Sequence, residues 1–199
     1  MKEGGGDDNL AIAWQYPGQP RVVIPAEFSR VLNPSFAGAT LDTWTGIGGM
    51  TIANLMSGTN NLAITPNKSE RLVGSLVAPT NVGDNYGARM SGWLTPPVTG
   101  PYEFFIASDD QGEFWLSSTD NPANKIRRCS CSWAPKGVWD RLPEQRSLPI
   151  LLVAGQASYN EVRFGVLIHL MCLCPTFVVH VPLSLLVSFL IGPHEGGGG

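Results

Sequence analysis

Asp109 and Asp110 are adjacent carboxylates, and they carry the sharpest chemical signal in the sequence. Two neighbouring negative charges repel each other, so solvent, a basic neighbour or a hard cation must offset them. Carboxylate oxygens are ligands that Ca²⁺ takes in proteins, together with loop carbonyls. The pair is therefore a candidate metal site. The alternative is a structural pair whose oxygens accept hydrogen bonds from loop N–H groups and fix the turn.

Two predicted β-strands hold this pair, one on each side. Residues 91–118 read SGWLTPPVTGPYEFFIASDDQGEFWLSS, and side chains alternate between two faces in 102–107 and again in 113–116. A period of two is typical of a strand with one buried face. The Thr-Gly-Pro at 99–101 marks a turn before the first strand. We therefore expect the two carboxylates in the loop that joins the strands.

The whole chain has the composition of an all-β protein. Its 199 residues include 23 glycines and 16 prolines, the strand-like segments are short, and no long segment has the helical period. These features predict a β-barrel or β-sandwich of mostly antiparallel strands, followed by an irregular apolar C-terminal tail. The net charge of −3 argues against nucleic acid as a partner.

The distribution of histidine and cysteine argues against catalysis. All three histidines lie in residues 169–199, so the rest of the chain has no Ser-His-Asp triad, Cys-His pair or H-E-x-x-H zinc site. The cysteines form two C-x-C pairs, Cys129 with Cys131 and Cys172 with Cys174, whereas zinc sites usually have C-x2-C spacing. The sequence therefore predicts a protein that is not an enzyme and whose cysteines are free thiols.

The C-terminal tail differs in kind from the rest of the chain. Residues 164–193 contain no Asp, Glu, Lys or Arg, and they are long and apolar enough for a transmembrane helix. Pro175 and Pro182 lie inside this segment and disfavour a continuous helix. Three interpretations stay open: a transmembrane segment over residues 164–192, a buried apolar segment, or a translated intron. The N-terminus has no apolar run of the kind that a signal peptide needs.

The chain repeats its own beginning near its end. KEGGG at residues 2–6 returns as HEGGG at residues 194–198, which we interpret as the same loop in two tandem copies of one domain. The expected division is as follows: residues 1–25 are the end of a preceding copy, 26–40 a linker, 41–162 a β domain and 163–199 the apolar tail.

A family resemblance appears in residues 85–116, NYGARMSGWLTPPVTGPYEFFIASDDQGEFWL. This segment resembles the protective-antigen domain family, known as PA-fourteen, as do residues 151–156 and, one copy earlier, residues 3–14. The resemblance covers about residues 41–162 together with 2–25. It implies a β-barrel or β-sandwich module of secreted or surface proteins, many of which bind carbohydrate.

The resemblance also implies a set of site residues. In the adhesin branch of the family, two adjacent aspartates joined by a cis peptide hold a calcium ion that contacts sugar hydroxyls, and a second loop adds an asparagine. Asp109 and Asp110 match the aspartate pair. The matching second loop lies near the N-terminus of this chain, where Asp8 or Asn9 is the candidate.

Further residues are candidates for the sugar-binding rim. Asp84 and Asn85 could line it beside the aspartates, with a turn held by their side chains as the alternative. Tryptophan rings can stack on the apolar faces of sugars, although a domain of this size also needs large side chains in its core. Trp115 is the main candidate, and the other tryptophans of the domain that could serve are Trp93, Trp133 and Trp139.

The second loop should follow residue 161 of the same copy, but the apolar tail intervenes there. Residues 2–16 would then have to fold back and supply the last strand, with Leu10 to Trp14 paired beside the strand at 148–154. The predicted function is a non-catalytic module, extracellular or at the cell surface, that binds a glycan or cell-surface ligand with the help of calcium. The alternative is a structural domain of a larger secreted enzyme or receptor, with no ligand of its own. A membrane is a partner only if the tail is a real segment.

Overall fold

The computed structural model describes residues 9–31, 37–57 and 65–164. In these residues the chain forms two β-sheets, one short α-helix and a few 3₁₀ turns. The helix α1 spans Ile52–Met56. The strands are β1 Leu10–Tyr16, β2 Gln19–Val23, β3 Ser29–Arg30, β4 Ala39–Thr45, β5 Lys68–Leu72, β6 Tyr86–Leu94, β7 Gly100–Ser108, β8 Gly112–Ser117, β9 Lys125–Cys131, β10 Ile150–Leu152 and β11 Ser158–Phe164.

The two sheets are antiparallel throughout the described strands. The smaller sheet has four strands in the order β10-β7-β1-β2. The larger sheet has seven strands in the order β5-β4-β6-β11-β8-β9, and β3 pairs with β6 beside this path. The prediction of an all-β fold of mostly antiparallel strands is therefore confirmed. Of the two predicted forms the described strands build a sandwich, since the sheets do not close into a barrel.

One hydrophobic core joins the two sheets. Trp14 from β1 and Phe104 from β7 contribute fully buried rings from the smaller sheet. Phe114 from β8 faces them from the larger sheet, and its ring stacks on Phe104 with the centroids 4.9 Å apart. Each buried side chain of this size contributes about 1.5–3 kcal/mol of transfer free energy. The strands β7 and β8, which supply Phe104 and Phe114, are joined by the loop that contains Asp109 and Asp110.

The N-terminal strand β1 completes the smaller sheet, but its neighbour differs from the prediction. β1 lies between β7 and β2, and its register with β7 runs from Leu10 opposite Ser108 to Gln15 opposite Glu103. Direct pairing of β1 with the strand at 148–154 was the wrong expectation. β7 lies between β1 and the strand at 148–154, because β1 pairs with one edge of β7 and β10 pairs with the other edge over three residues. β1 nevertheless belongs to the sheet that was predicted for it.

Several boundary predictions stay predictions. Within the segment expected to be a linker, Ser29–Arg30 forms the short strand β3. Arg163 and Phe164, expected to open the apolar tail, are the last residues of β11. The rest of that tail, including most of the expected transmembrane segment, lies outside the described residues. In the part of the chain that the structure describes, no helix has both the length and the apolarity to cross a membrane.

Candidate metal and ligand site

Asp109 and Asp110 lie in the three-residue loop between β7 and β8. β7 ends at Ser108 and β8 begins at Gly112. Both aspartates are half-buried, and the peptide bond that joins them is cis. Pairing of Ser108 with Leu10 and of Gly112 with Phe164 places the loop where β1 begins and β11 ends. The N-terminal segment and the aspartate loop therefore meet at one end of the sandwich.

Backbone and hydroxyl contacts fix the conformation of this loop. The backbone N–H of Asp109 donates to the carbonyl oxygen of Asn9 at 3.1 Å. The Ser108 hydroxyl donates to the carbonyl oxygen of Asp110 at 2.5 Å. A Cβ atom at Gly112 would lie 2.4 Å from the same hydroxyl oxygen, so a side chain there would displace Ser108. These contacts hold the loop that contains the two aspartates in one conformation.

Asn9 is the most unusual polar residue at this end of the sandwich. It is only 3% exposed. Its side-chain nitrogen Nδ2 donates to the carbonyl oxygen of Ala134 at 3.1 Å. Its side-chain oxygen Oδ1 is buried and has no hydrogen-bond donor among the described residues. A buried polar atom without a partner costs about 1–3 kcal/mol, so a water or a cation is the natural complement of this oxygen.

A cleft of about 600 Å³ opens beside Asn9 and Asp109. The loop before β6 and the loop after β9 supply its other walls. The lining residues are Asn9, Thr80, Asn81, Asp109, Trp133, Pro135 and Lys136. A volume of this size lies within the range of about 300–1,000 Å³ that small-molecule sites occupy.

Trp133 gives the cleft an aromatic wall. Its side chain is 38% exposed. The guanidinium carbon of Arg141 lies 3.8 Å from the centroid of the ring, which is a close cation–π contact. Arg141 therefore helps to fix the orientation of the ring.

Among the predicted site residues, the structure brings Asn9 and Asp109 together in the cleft, with Asp110 next to Asp109 in the same loop. Asp84 is exposed, and Asn85 precedes β6 in a left-handed conformation at φ 54°. The carbonyl oxygen of Asn85 accepts a hydrogen bond from the backbone of Ile47 at 2.9 Å. This pair lies at the same end of the sandwich but does not line the cleft. Asp8 lies outside the described residues.

Trp115 is not brought to the aspartate loop. It lies in β8 between Phe114 and Leu116, whose side chains are in the core, so its ring is on the outer face of the larger sheet. Its indole nitrogen donates to Glu113 at 3.1 Å, and the guanidinium carbon of Arg163 lies 5.0 Å from the ring centroid. The tryptophan that lines the cleft is Trp133 and not Trp115.

Four residues of the cleft were not predicted from the sequence, namely Thr80, Asn81, Pro135 and Lys136. Thr80 and Asn81 belong to the turn-rich loop before β6, where only Asp84 and Asn85 were singled out. Pro135 and Lys136 follow Trp133 in a loop after β9. Their residue types gave a weak signal for a binding site. Which loops approach the cleft is determined by the packing of the two sheets and not by local sequence.

The donor atoms at the aspartate loop are oxygens. Two carboxylates, the Asn9 amide oxygen and nearby carbonyls suit a hard cation such as Ca²⁺ better than zinc. The described residues contain no group of three or more His, Cys, Asp and Glu side chains that could hold a metal ion. Cys129 and Cys131 are free thiols buried on β9. Burial raises the pKa of both thiols, which disfavours the thiolate that a metal would need.

Comparison with known proteins connects this end of the sandwich to a family. The family model that matches is that of the PA14 domain, over residues 59–120. The matched segment contains β6, β7, β8 and the loop with Asp109 and Asp110. The resemblance to the protective-antigen domain family is thereby confirmed.

The curated relatives are much longer proteins. The chain is 34% identical over 83 residues to N-acetyl-beta-glucosaminyl-glycoprotein 4-beta-N-acetylgalactosaminyltransferase 1 of Mus musculus, a match that covers 39% of this chain and 8% of that protein. It is 31% identical over 120 residues to fibrocystin of Canis lupus familiaris, covering 48% and 3%. It is 35% identical over 79 residues to fibrocystin-L of Homo sapiens, covering 40% and 2%. The chain thus spans less than a tenth of the length of these relatives. Its match to the PA14 domain model covers residues 59–120.

Proposed function

We propose that this PA14-containing chain is a non-catalytic module that binds a glycan through a calcium ion held at the aspartate loop. The observation that carries the proposal is Asn9, which lines the same cleft as Asp109 and whose buried Oδ1 has no hydrogen-bond donor among the described residues. An amide oxygen fixed in this way beside two carboxylates is a suitable ligand for a hard cation.

The residues present fit calcium in charge and in donor type. Asp109 and Asp110 together balance the two positive charges of Ca²⁺. Asn9 adds a neutral oxygen, and its amide is held in place by the hydrogen bond from Nδ2 to Ala134. Ca²⁺ takes six to eight oxygen ligands, so these side chains leave coordination positions for ligand hydroxyls. Asp8, which precedes Asn9, stays a further candidate ligand from the resemblance.

The cleft supplies what a sugar needs beyond the cation. The ring of Trp133 and the ring of Pro135 offer apolar surface for the C–H face of a pyranose. Thr80 and Asn81 line the same cleft, and side chains of these types can exchange hydrogen bonds with hydroxyls. A small number of polar groups around an apolar floor is the usual composition of a ligand site.

The relatives support a role as a module within a larger protein. The mouse relative is named as an N-acetylgalactosaminyltransferase, and the match covers 8% of its length. A shared segment of that size suits an accessory domain better than a whole catalytic unit. We infer an extracellular or cell-surface location, with a glycan or another cell-surface ligand as partner and no nucleic acid.

Thermal unfolding of the full chain tests the calcium site. Saturating Ca²⁺ should raise the melting temperature by several degrees, because a ligand at 100 times its Kd stabilises by about 2.7 kcal/mol. Asp109→Asn and Asp110→Asn should each abolish the shift. Asp84→Asn is the matched control, since it makes the same change of charge at the same end of the sandwich outside the cleft. A full calcium shift in Asp109→Asn would contradict the proposal.

A structural or accessory domain without its own ligand is the second candidate. One surface favours it: Leu148 is 85% exposed and Leu151, on the edge strand β10, is 72% exposed. Exposed apolar side chains at a sheet edge are suited to contact with a neighbouring domain. Absence of both a calcium shift and a signal on a glycan array would favour this role.

A further inference from the structure

We propose that the glycan bound at this cleft carries an acidic group, a carboxylate or a sulfate, which Lys136 and Arg141 recognise. The inference rests on the proposed calcium-dependent glycan site and specifies the chemical class of its ligand. It comes from the charges around the cleft rather than from the calcium ligands.

The charge balance of the occupied site favours an anion. The two negative charges of Asp109 and Asp110 are offset by the two positive charges of Ca²⁺. Lys136 lines the same cleft, and the guanidinium of Arg141 lies over the ring of Trp133, which also lines it. Once calcium is bound, Lys136 and Arg141 add positive charge beside it, which raises the local concentration of an anionic ligand.

Neither cation is neutralised by the described residues. The ion pairs among them include Arg89 with Asp42 and Arg127 with Glu113, but none involves Lys136 or Arg141. The acidic residues nearest to Arg141 in sequence, Asp140 and Glu144, make no ion pair with it and do not line the cleft.

The contact between Arg141 and Trp133 prepares the guanidinium for this role. The guanidinium carbon lies 3.8 Å from the ring centroid. A guanidinium that rests on an aromatic ring keeps the N–H donors at its edges available. Those donors match the paired oxygens of a carboxylate or a sulfate, and such charge-assisted hydrogen bonds are about twice as strong as neutral ones.

Lys136 supplies the second positive charge without a fixed direction. Its ammonium is a compact charge on a flexible stem, so it can follow an acidic group at more than one position on the sugar. Arg141 selects the geometry and Lys136 adds long-range attraction. Together they should favour an acidic sugar over its neutral analogue by about tenfold near 0.15 M salt.

A matched sugar series tests this inference on the full chain. The probes are the methyl glycosides of galactose, mannose and glucose, each as the C6 alcohol, the C6 sulfate and the C6 carboxylate. Binding is measured by titration in the presence of Ca²⁺ at 0.05 M and 0.5 M NaCl. We expect at least one ring type to bind more tightly in an acidic form, with the preference reduced at high salt. The carboxylate and sulfate arms tell the two acidic groups apart.

Variants locate the preference at the cleft. Lys136→Gln and Arg141→Gln should each lower the affinity for the acidic form about threefold to fivefold more than they lower the affinity for the neutral form. Lys68→Gln removes the same charge from β5 as a control and should change neither. An acidic preference that survives both cleft variants would overturn the inference.

The outcomes separate this inference from the proposed function. Equal binding of neutral and acidic forms would overturn the acidic preference and leave calcium-dependent glycan binding intact. Binding of none of the nine sugars by calcium-loaded protein would overturn both.

Discussion

At the scale of single residues, Asn9 determines how far the calcium proposal can be tested. Its amide nitrogen is engaged by Ala134, which turns the oxygen away from that contact and leaves it as a buried acceptor. Asp109 is tied to the same residue through its backbone N–H. The N-terminal segment therefore contributes both a backbone anchor for the aspartate loop and a candidate ligand.

Replacement of this side chain separates the two contributions. Asn9→Ala should weaken calcium binding about tenfold or more, because one oxygen ligand is lost. It should also lower the free energy of unfolding without calcium by about 1 kcal/mol or less, since the lost hydrogen bond to Ala134 is partly offset by removal of the unpartnered oxygen. Asn124→Ala, at an exposed asparagine outside the cleft, is the control. Calcium titration calorimetry measures the first effect, and unchanged affinity in Asn9→Ala would remove Asn9 from the site.

The buried thiols give a pH-dependent prediction at the same scale. Burial raises the pKa of Cys129 and Cys131 above the usual value, so the folded protein holds their protons more tightly than the unfolded chain does. Their contribution to stability is present in full below the unfolded pKa near 9 and is lost as pH rises from there towards the folded pKa.

A thiol reagent measures this difference. In a variant with Cys172→Ser and Cys174→Ser, the thiols of Cys129 and Cys131 should be unreactive at pH 8 in buffer and reactive in denaturant. The denaturant midpoint should fall between pH 8.5 and pH 10 as the unfolded chain loses thiol protons. Rapid labelling of the native protein would contradict the burial of these side chains.

At the scale of elements, β1 joins the N-terminal segment to the rest of the fold. Trp14 is 1% exposed and its ring contacts the ring of Tyr102 with the centroids 5.3 Å apart. Since β1 pairs along β7 and packs on the shared core, we expect residues from both ends of the described chain to unfold together.

A core substitution in β1 tests this unit. Trp14→Ala should lower the free energy of unfolding of the full chain by about 3–5 kcal/mol, because it removes a buried ring from the shared core. Gln15→Ala, at the next and exposed position, should change it by less than about 0.5 kcal/mol. Denaturant unfolding followed by the remaining tryptophans should show one transition. If Trp14→Ala left the free energy of the main unfolding transition unchanged, β1 would not be part of the domain.

The strands around the aspartate loop could be predicted from sequence because their pattern is local. Alternation in residues 102–107 and 113–116 marked β7 and β8, and the two carboxylates fell in the loop between them. The same alternation puts Trp115 out of phase with Phe114 and Leu116, so its outward direction was already contained in the pattern.

The partners of these strands could not be predicted in the same way. Pairing of β1 with β7 rather than with β10 depends on which edge of β7 is vacant, and that is decided by the whole sheet. Asn81 and Lys136 reach the cleft from loops about 55 residues apart in sequence, whose approach depends on sheet packing. Their residue types alone, common in any loop, could not single them out.

At the scale of the whole molecule, the described residues form one sandwich with the candidate site residues gathered at one end. The PA14 match and the short shared segments in much longer relatives agree with a module that serves a larger protein. The aspartate loop, Asn9 and the Trp133 wall come from three separate segments. These segments come together only when both sheets have formed, so binding of the proposed ligand would report on the folded domain.

Reversible dependence of sugar binding on calcium tests the central claim most directly. The full chain is applied to a glycan array in Ca²⁺, then with a chelator, and then with Ca²⁺ restored, beside Asp109→Asn and the Asp84→Asn control. We predict that sugar binding is lost with the chelator, returns with Ca²⁺, is absent in Asp109→Asn and is retained in Asp84→Asn. Sugar binding that persists in the chelator, or in Asp109→Asn, would contradict a calcium-held glycan at the aspartate loop.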